Sequence, residues 1–338
     1  MKRFAVTGAT GFLGRALVTG LREGGAEVVA IARRPDDALE ALGATFVAAD
    51  VTGERDRLGD DTKSLADAFA GCEGVYHMAG FVSRDARDTR EMMRVHVDGT
   101  KAVLCAAKEA GVRRVVVASS SGTHAVSREP EPVLDETAPD AVELVGRWPY
   151  YLSKIYQERV ARQFARELDL DVVLINPSLL LGPGDERQSS TEDVVRFLFR
   201  EIPAVPPGGL AFVDVRDAAQ GALQAMARGE RGERYLLNGA NLTFAEFFGR
   251  LSRVSKVPAP VLRVPSKLAR AGATLLEHFY RARNSEPPIS RLEVEMGEVY
   301  WYCDARKAET QLGFQARDPA ETLDETVRDL RARFPRRV

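Results

Sequence analysis

Tyr150 and Lys154 lie four residues apart in this chain. In a helix that spacing sends both side chains out of one face. A phenol with a pKa near ~10 is a poor acid or base at neutral pH, and a nearby ammonium favours its phenolate. Such a tyrosine can exchange a proton with a carbonyl or hydroxyl oxygen. Tyr151 is excluded from the pairing, because Ile155 stands four residues after it. Upstream, Ser119-Ser120-Ser121-Gly122-Thr123 follows an apolar run, and a hydroxyl there can hold the reacting oxygen. Near the beginning, Phe4-Ala5-Val6 runs into Thr7-Gly8-Ala9-Thr10-Gly11-Phe12-Leu13-Gly14.

These residues need elements to position them. The glycine string stands between a short buried strand and a helix with Ala16, Leu17, Val18 and Leu21 at helical spacing. Strand, glycine turn and helix in that order are the context of a dinucleotide-phosphate site. Gly8 permits the tight turn, Gly11 lets the backbone approach a pyrophosphate, and Gly14 lets the helix pack on the strand. The free N–H groups at the helix start then face the phosphates, with Gly8, Thr10, Gly11, Phe12 and Leu13 as cofactor contacts. A second strand, 27–32, ends in Arg33-Arg34. An acidic residue there would bind a ribose 2′-hydroxyl, whereas arginine accommodates a 2′-phosphate, so NADP(H) is expected over NAD(H). Lys154 can also bond the nicotinamide ribose, joining Tyr150 in the cofactor site.

Further strands are read at 45–49, 74–80, 114–118, 172–175 and 235–237, with helices at 64–70, 89–110 and 151–168. The polar run 52–63 is read as a surface loop. His77 lies within an apolar strand and is read as a core histidine. Helices follow at 217–228, with Asp217 as N-cap, at 243–255 and at 266–282. The last is amphipathic and basic. Its place in the middle of the C-terminal region favours packing over a cleft rather than contact with a membrane. The fold expected is α/β: a doubly wound, mostly parallel Rossmann sheet with a smaller interleaved C-terminal substrate lobe. Residues 1–177 plus 211–239 form the dinucleotide-binding domain, and 178–210 plus 240–338 the lobe.

Composition closes off other classes. The net charge of −2 gives no field for nucleic acid. Cys72, Cys105 and Cys303 lie far apart, which suggests reduced thiols in a cytoplasmic protein rather than a disulfide frame. Four scattered histidines provide no metal cluster, so no metal is expected. No apolar run is long enough to span a bilayer.

The string TGATGFLG, the serine strand end and Tyr150-x-x-x-Lys154 together resemble the extended short-chain dehydrogenase/reductase (NAD-dependent epimerase/dehydratase) family. Ile175-Asn176-Pro177-Ser178 looks like its dihydroflavonol-reductase-like branch, in place of the Arg-x-x-Asn of sugar-nucleotide epimerases. The resemblance implies further roles. Ser121, last in its run, would be the catalytic serine beside Tyr150 and Lys154, with Thr123 as an auxiliary hydroxyl. Asp50 and Val51 would meet the adenine, Ala79 and Gly80 would pass beneath the cofactor, and Pro177 would bend the chain at the carboxamide. His96 stands where the family usually has asparagine. The implied activity is NADP(H)-dependent reduction of a small carbonyl substrate to an alcohol. The alternatives are a nucleotide-sugar epimerase or dehydratase with tightly held NAD, a 3β-hydroxysteroid-dehydrogenase-like oxidation, and a cofactor sensor. By analogy, pairing through helices 89–110 and 151–168 allows a homodimer.

Overall fold

The valine- and alanine-rich runs of the sequence become strands buried on both faces, which is the environment of a parallel sheet between helices. A computed structural model describes residues 2–52, 65–281, 283, 285 and 289–335. Residues 53–63 of the expected surface loop lie outside them. The main sheet has seven strands: β1 (Arg3–Thr7), β2 (Glu27–Ala32), β3 (Thr45–Ala48), β4 (Gly74–His77), β5 (Arg114–Ala118), β6 (Asp171–Pro177) and β9 (Arg234–Leu237). Its order is β3-β2-β1-β4-β5-β6-β9, and every pairing is parallel. The order reverses between β1 and β4, so the crevice beyond their C-terminal ends is where a ligand of this fold sits.

Helices cover both faces. Phe12–Glu23 and Val215–Arg228 bury Leu13, Leu17, Leu21, Ala218 and Ala222 in one core. Gly99–Glu109 and Pro149–Glu167 bury Leu104, Ala107, Ala161 and Ala165 in the other. The expected helix 89–110 is three joined pieces. Between Thr89–Met93 and Gly99–Glu109 the chain makes one wide π-type turn, Arg94–Asp98, which buries His96 and Val97. Such single turns inside helices are frequent at functional sites.

A second sheet joins β7 (Leu179–Leu181), β8 (Gly209–Asp214) and β10 (Ala240–Thr243) in the order β10-β8-β7. Its apolar face packs on helices Glu192–Leu198, Phe244–Ser255 and Pro319–Arg333 through Phe197, Phe212, Phe247 and Leu323. The sequence reading put residue 211 onward in the dinucleotide-binding part. The structure moves β8 to the lobe sheet, where Leu210 and Phe212 bury against lobe side chains while the alternate Val213, then Val215, pack in the main core. Helix Val215–Arg228 is capped by Asp214, which accepts from the Arg216 N–H, and not by Asp217. Asp217 instead accepts from the Arg317 N–H at 2.8 Å and from its guanidinium at 2.8 Å. No helix among the described residues is long and apolar enough to cross a membrane. None of them forms a cluster able to hold a metal ion.

Candidate active site

Gly8 takes a left-handed backbone, φ +68°, directly under the exit of β4; a Cβ there would lie 2.6 Å from Ala79 Cα. A Cβ on Gly14 would lie 2.1 Å from the Gly8 carbonyl oxygen, so only glycine lets the helix sit this close to its turn. The helix begins after Gly11 with no side-chain cap, leaving its first N–H groups to a ligand. Thr10, Gly11, Phe12 and Leu13 line a cleft of about 900 Å³ that runs over the C-terminal ends of the strands into the lobe.

The remaining expected cofactor residues divide. Arg33, Gly80, Tyr150, Lys154 and Pro177 line the same cleft, and Gly8 with Ala79 lies beneath it. Arg34 is exposed and lies outside the lining. Asp50 accepts the amide and hydroxyl of Thr52 on one oxygen at 2.9 and 2.8 Å, and Val51 is buried against Gly99. Both lie off the lining. Arg15, which the sequence reading passed over, lines the cleft and pairs with Asp36 at 2.6 Å.

Helix Pro149–Glu167 presents Tyr150 and Lys154 to the cleft from its first two turns. Burial pushes the Tyr150 phenol up to about 12, opposed by a side-chain hydrogen bond with Ser120. Lys154 donates to the Ala118 carbonyl and to Gln157 Oε1, both at 2.9 Å. Burial pulls it down to about 7, against the pull of the Glu158 carboxylate.

Ser119, Ser120 and Ser121 all border the cleft, but their hydroxyls divide. Ser120 meets Tyr150 and accepts the Gly122 N–H at 3.3 Å. Ser121 begins a single tight turn, Ser121–Thr123, and its side chain meets the buried thiol of Cys303. Ser119 and Thr123 face the other way, donating to Glu158 Oε1 at 2.6 and 2.8 Å, where Asn176 Nδ2 also donates at 2.6 Å. Thr123 is therefore fully buried and not an auxiliary hydroxyl of the cleft.

His96 completes the wall. Its Nε2 accepts the Phe81 N–H at 3.1 Å, so Nδ1 carries the proton and donates to Ser153 Oγ at 2.8 Å. Ser153 in turn donates to the Tyr150 carbonyl at 2.7 Å. The imidazole edge meets the Tyr150 ring at 5.8 Å between centroids. Burial, then the Lys154 charge, holds His96 well below its ordinary pKa. His77 is the core histidine expected: it bonds Thr7 at 2.8 Å and Thr100 at 3.0 Å, and burial holds it at about 3.

On the lobe side, Tyr151 stacks on Trp301 at 4.6 Å, and a Cβ on Gly122 would lie 2.3 Å from the Tyr151 ring. Phe247, Phe248, Leu292 and Met296 add apolar lining. Two of the cations there are paired, while Arg187, which also lines the cleft, makes no ion pair among the described residues. Arg84 bonds Asp193 at 2.8 Å and Glu293 at 3.3 Å, and Arg196 bonds Glu293 at 2.8 Å. Burial works against ionisation of Asp193, but the Arg84 guanidinium outweighs it and keeps the carboxyl below its ordinary range.

Known proteins resemble this chain in sequence and fold. The description "NAD dependent epimerase/dehydratase family" matches residues 4–237. A protein named "Putative dihydroflavonol 4-reductase" from Synechocystis is 34% identical over 333 residues, 96% of this chain and 93% of the relative. Cinnamoyl-CoA reductase 1 of Oryza sativa subsp. japonica is 36% identical over 261 residues, 73% of this chain and 74% of the relative. A solved nucleoside-diphosphate-sugar epimerase from Pseudomonas aeruginosa superposes with a TM-score of 0.78 at 27% identity, covering 98% of each chain. The matched span carries the whole seven-stranded sheet from β1 to β9, and the chain belongs to the NAD dependent epimerase/dehydratase family: it is an NAD(P)-dependent oxidoreductase of the extended short-chain dehydrogenase/reductase type.

Proposed function

We propose that the protein reduces a small or medium-sized aldehyde or ketone with NADPH. The observation that carries this is that Ser120 and Tyr150 face the cleft together beside Lys154. A dinucleotide fits the residues present. The Gly8–Gly14 turn leaves no room for a Cβ, the helix start is uncapped, and bulk at Gly80 would meet His96 Nε2 at 3.3 Å. Thr10 to Leu13 would hold its phosphates, Arg33 its 2′-phosphate, and Lys154 its nicotinamide ribose with the ammonium proton not given to Ala118 or Gln157. When bound, the cofactor supplies a hydride to the carbonyl carbon. Ser120 holds the carbonyl oxygen. Tyr150, kept protonated by burial, gives that oxygen its proton, which leaves an alcohol. Lys154 and bulk water restore the phenol.

The apolar lining by Phe247, Phe248, Leu292 and Met296 supports an uncharged substrate body. The names of the reductases from Synechocystis and rice support the reaction class. A nucleotide-sugar diphosphate would need open cations in the lobe. Arg84 and Arg196 are held there by Asp193 and Glu293 and Asn176 is turned into the core, which leaves Arg187 as the one lobe cation such a diphosphate could meet among the described residues.

The test is titration of the purified protein with NADPH and NADH, followed by assay of Tyr150→Phe on a panel of carbonyls. NADPH should bind and exchange at least tenfold more tightly than NADH, a difference of about 1.4 kcal/mol, and Arg33→Ala should erase the preference. Tyr150→Phe should bind NADPH normally and lose about 10²–10⁴-fold in reduction. Tightly retained NAD would replace the reductase reading with an epimerase, and reduction surviving in Tyr150→Phe would remove the mechanism.

A further inference from the structure

Leu268, Leu275 and Phe279 stand seven and four residues apart on helix Ser266–Arg281, so they form one stripe. The stripe points away from the protein, with the three side chains 65%, 73% and 50% exposed. The inner side of the same helix carries buried Ala273 and half-buried Leu276. Glu277 ties it to helix Arg291–Met296 by accepting the Arg291 N–H at 2.7 Å. That second helix supplies Leu292 and Met296 to the cleft. The segment leading into the stripe adds Val261 and Leu262, 90% and 56% exposed. Of the eight exposed large hydrophobic side chains among the described residues, five therefore fall within 261–279. Scattered surface hydrophobics need no explanation; a cluster of this kind does.

Charge gathers in the same place. From Arg250 to Arg283 the sequence has eight Lys or Arg and a single carboxylate, Glu277, in a chain of net charge −2. Arg263 and Lys267 are exposed and make no ion pair among the described residues. Arg283 lies over the Phe279 ring, 3.7 Å from its centroid. A second copy meeting this face would bring like charges together, whereas an anionic surface complements it.

We infer that this face docks on an anionic lipid surface. Leu268, Leu275 and Phe279 enter the boundary between headgroups and acyl chains, and Arg263 and Lys267 meet the headgroups. The helix packs on Arg291–Met296, which lines the cleft, rather than on the cleft itself, and offers its other side to lipid. The inference does not depend on the reductase reading.

The test is co-sedimentation of the full chain with vesicles of phosphatidylcholine alone and of phosphatidylcholine with phosphatidylglycerol, at low and high salt. The protein should sediment with the anionic vesicles only, and salt should release it. Lys267→Ala should weaken binding about fivefold, and Leu275→Glu should abolish it with an unchanged circular-dichroism melt. Leu268→Gln serves in its place should Leu275→Glu fail to fold. Equal behaviour toward both vesicles, or toward neither, would overturn the inference. So would a dimer in sedimentation velocity that Leu275→Glu dissolves, because the face would then belong to a second copy.

Discussion

Ser120 and Tyr150 meet at the end of β5 and both line the cleft, which offers a carbonyl oxygen a resting place between two hydroxyls. Ser121, one residue on, also borders the cleft, but its hydroxyl meets the Cys303 thiol. Under the proposed reaction, Ser120→Ala should lower kcat/KM by about 10²-fold, the loss expected for one donor to a developing oxyanion. Ser121→Ala should leave it unchanged. Steady-state kinetics on both variants decide the matter, and the reverse order would place the reacting oxygen against the wrong hydroxyl. The tyrosine and lysine were legible in the sequence because helical periodicity alone puts Tyr150 and Lys154 on one face. The serine was not. Three identical residues straddle the point where β5 gives way to the tight turn Ser121–Thr123, and no periodicity holds across such a junction. Arg33 and Arg34 pose the same difficulty: both follow β2, and only the backbone's path brings one of them to the cleft.

Three elements meet at His96: the exit of β4 through Phe81, the wide turn Arg94–Asp98, and the start of helix Pro149–Glu167 through Ser153. One ring accepts from the first and donates to the third, so it sets the position of Tyr150 without touching a substrate oxygen. His96→Leu keeps the volume and loses both bonds, stranding the Phe81 N–H. It should destabilise the protein by about 1–3 kcal/mol, the usual penalty for one orphaned buried group. His96→Asn keeps a donor and an acceptor and should lose less. Urea denaturation of the three proteins measures this, and a leucine variant as stable as the parent would show that the ring is not a brace. The sequence showed a helix over 89–110 but could not show the wide turn, because one extra residue in a turn leaves the apolar spacing on either side nearly intact. The short strands β7 and β10 were missed for a related reason, since three or four residues are too few to establish a period. Strand β8 was not read as a strand either, and an apolar run such as Leu210–Val213 does not say which of two sheets will bury it.

Across the molecule, the fold buries three imidazoles in their neutral form. His77 and His124 are held at about 3, and His96 well below its ordinary value of 6.5, with burial the largest cause in each. Charges from nearby side chains act in the same direction, Lys154 on His77 and His96 and Arg234 on His124. The consequence for stability follows from which state binds more protons. Above pH 6.5 these histidines are neutral whether the chain is folded or not, and they contribute no pH dependence. Below it the unfolded chain takes up protons that the folded chain refuses, so stability falls as pH falls, until the folded-state values near 3 are reached. Each histidine should remove about 1.4 kcal/mol per pH unit within that window. Lys154 acts on the alkaline side. Its folded value of about 7 lies below the ordinary 10.5, so the unfolded chain again holds the extra proton and stability rises between those limits. Urea midpoints measured across this range should therefore climb steadily with pH, and His124→Gln should flatten the acid limb by one proton's worth. A midpoint that stays level between about pH 5 and pH 6.5 would mean that the imidazoles are charged in the folded protein. The dry wall built around Tyr150 would then have to be wet.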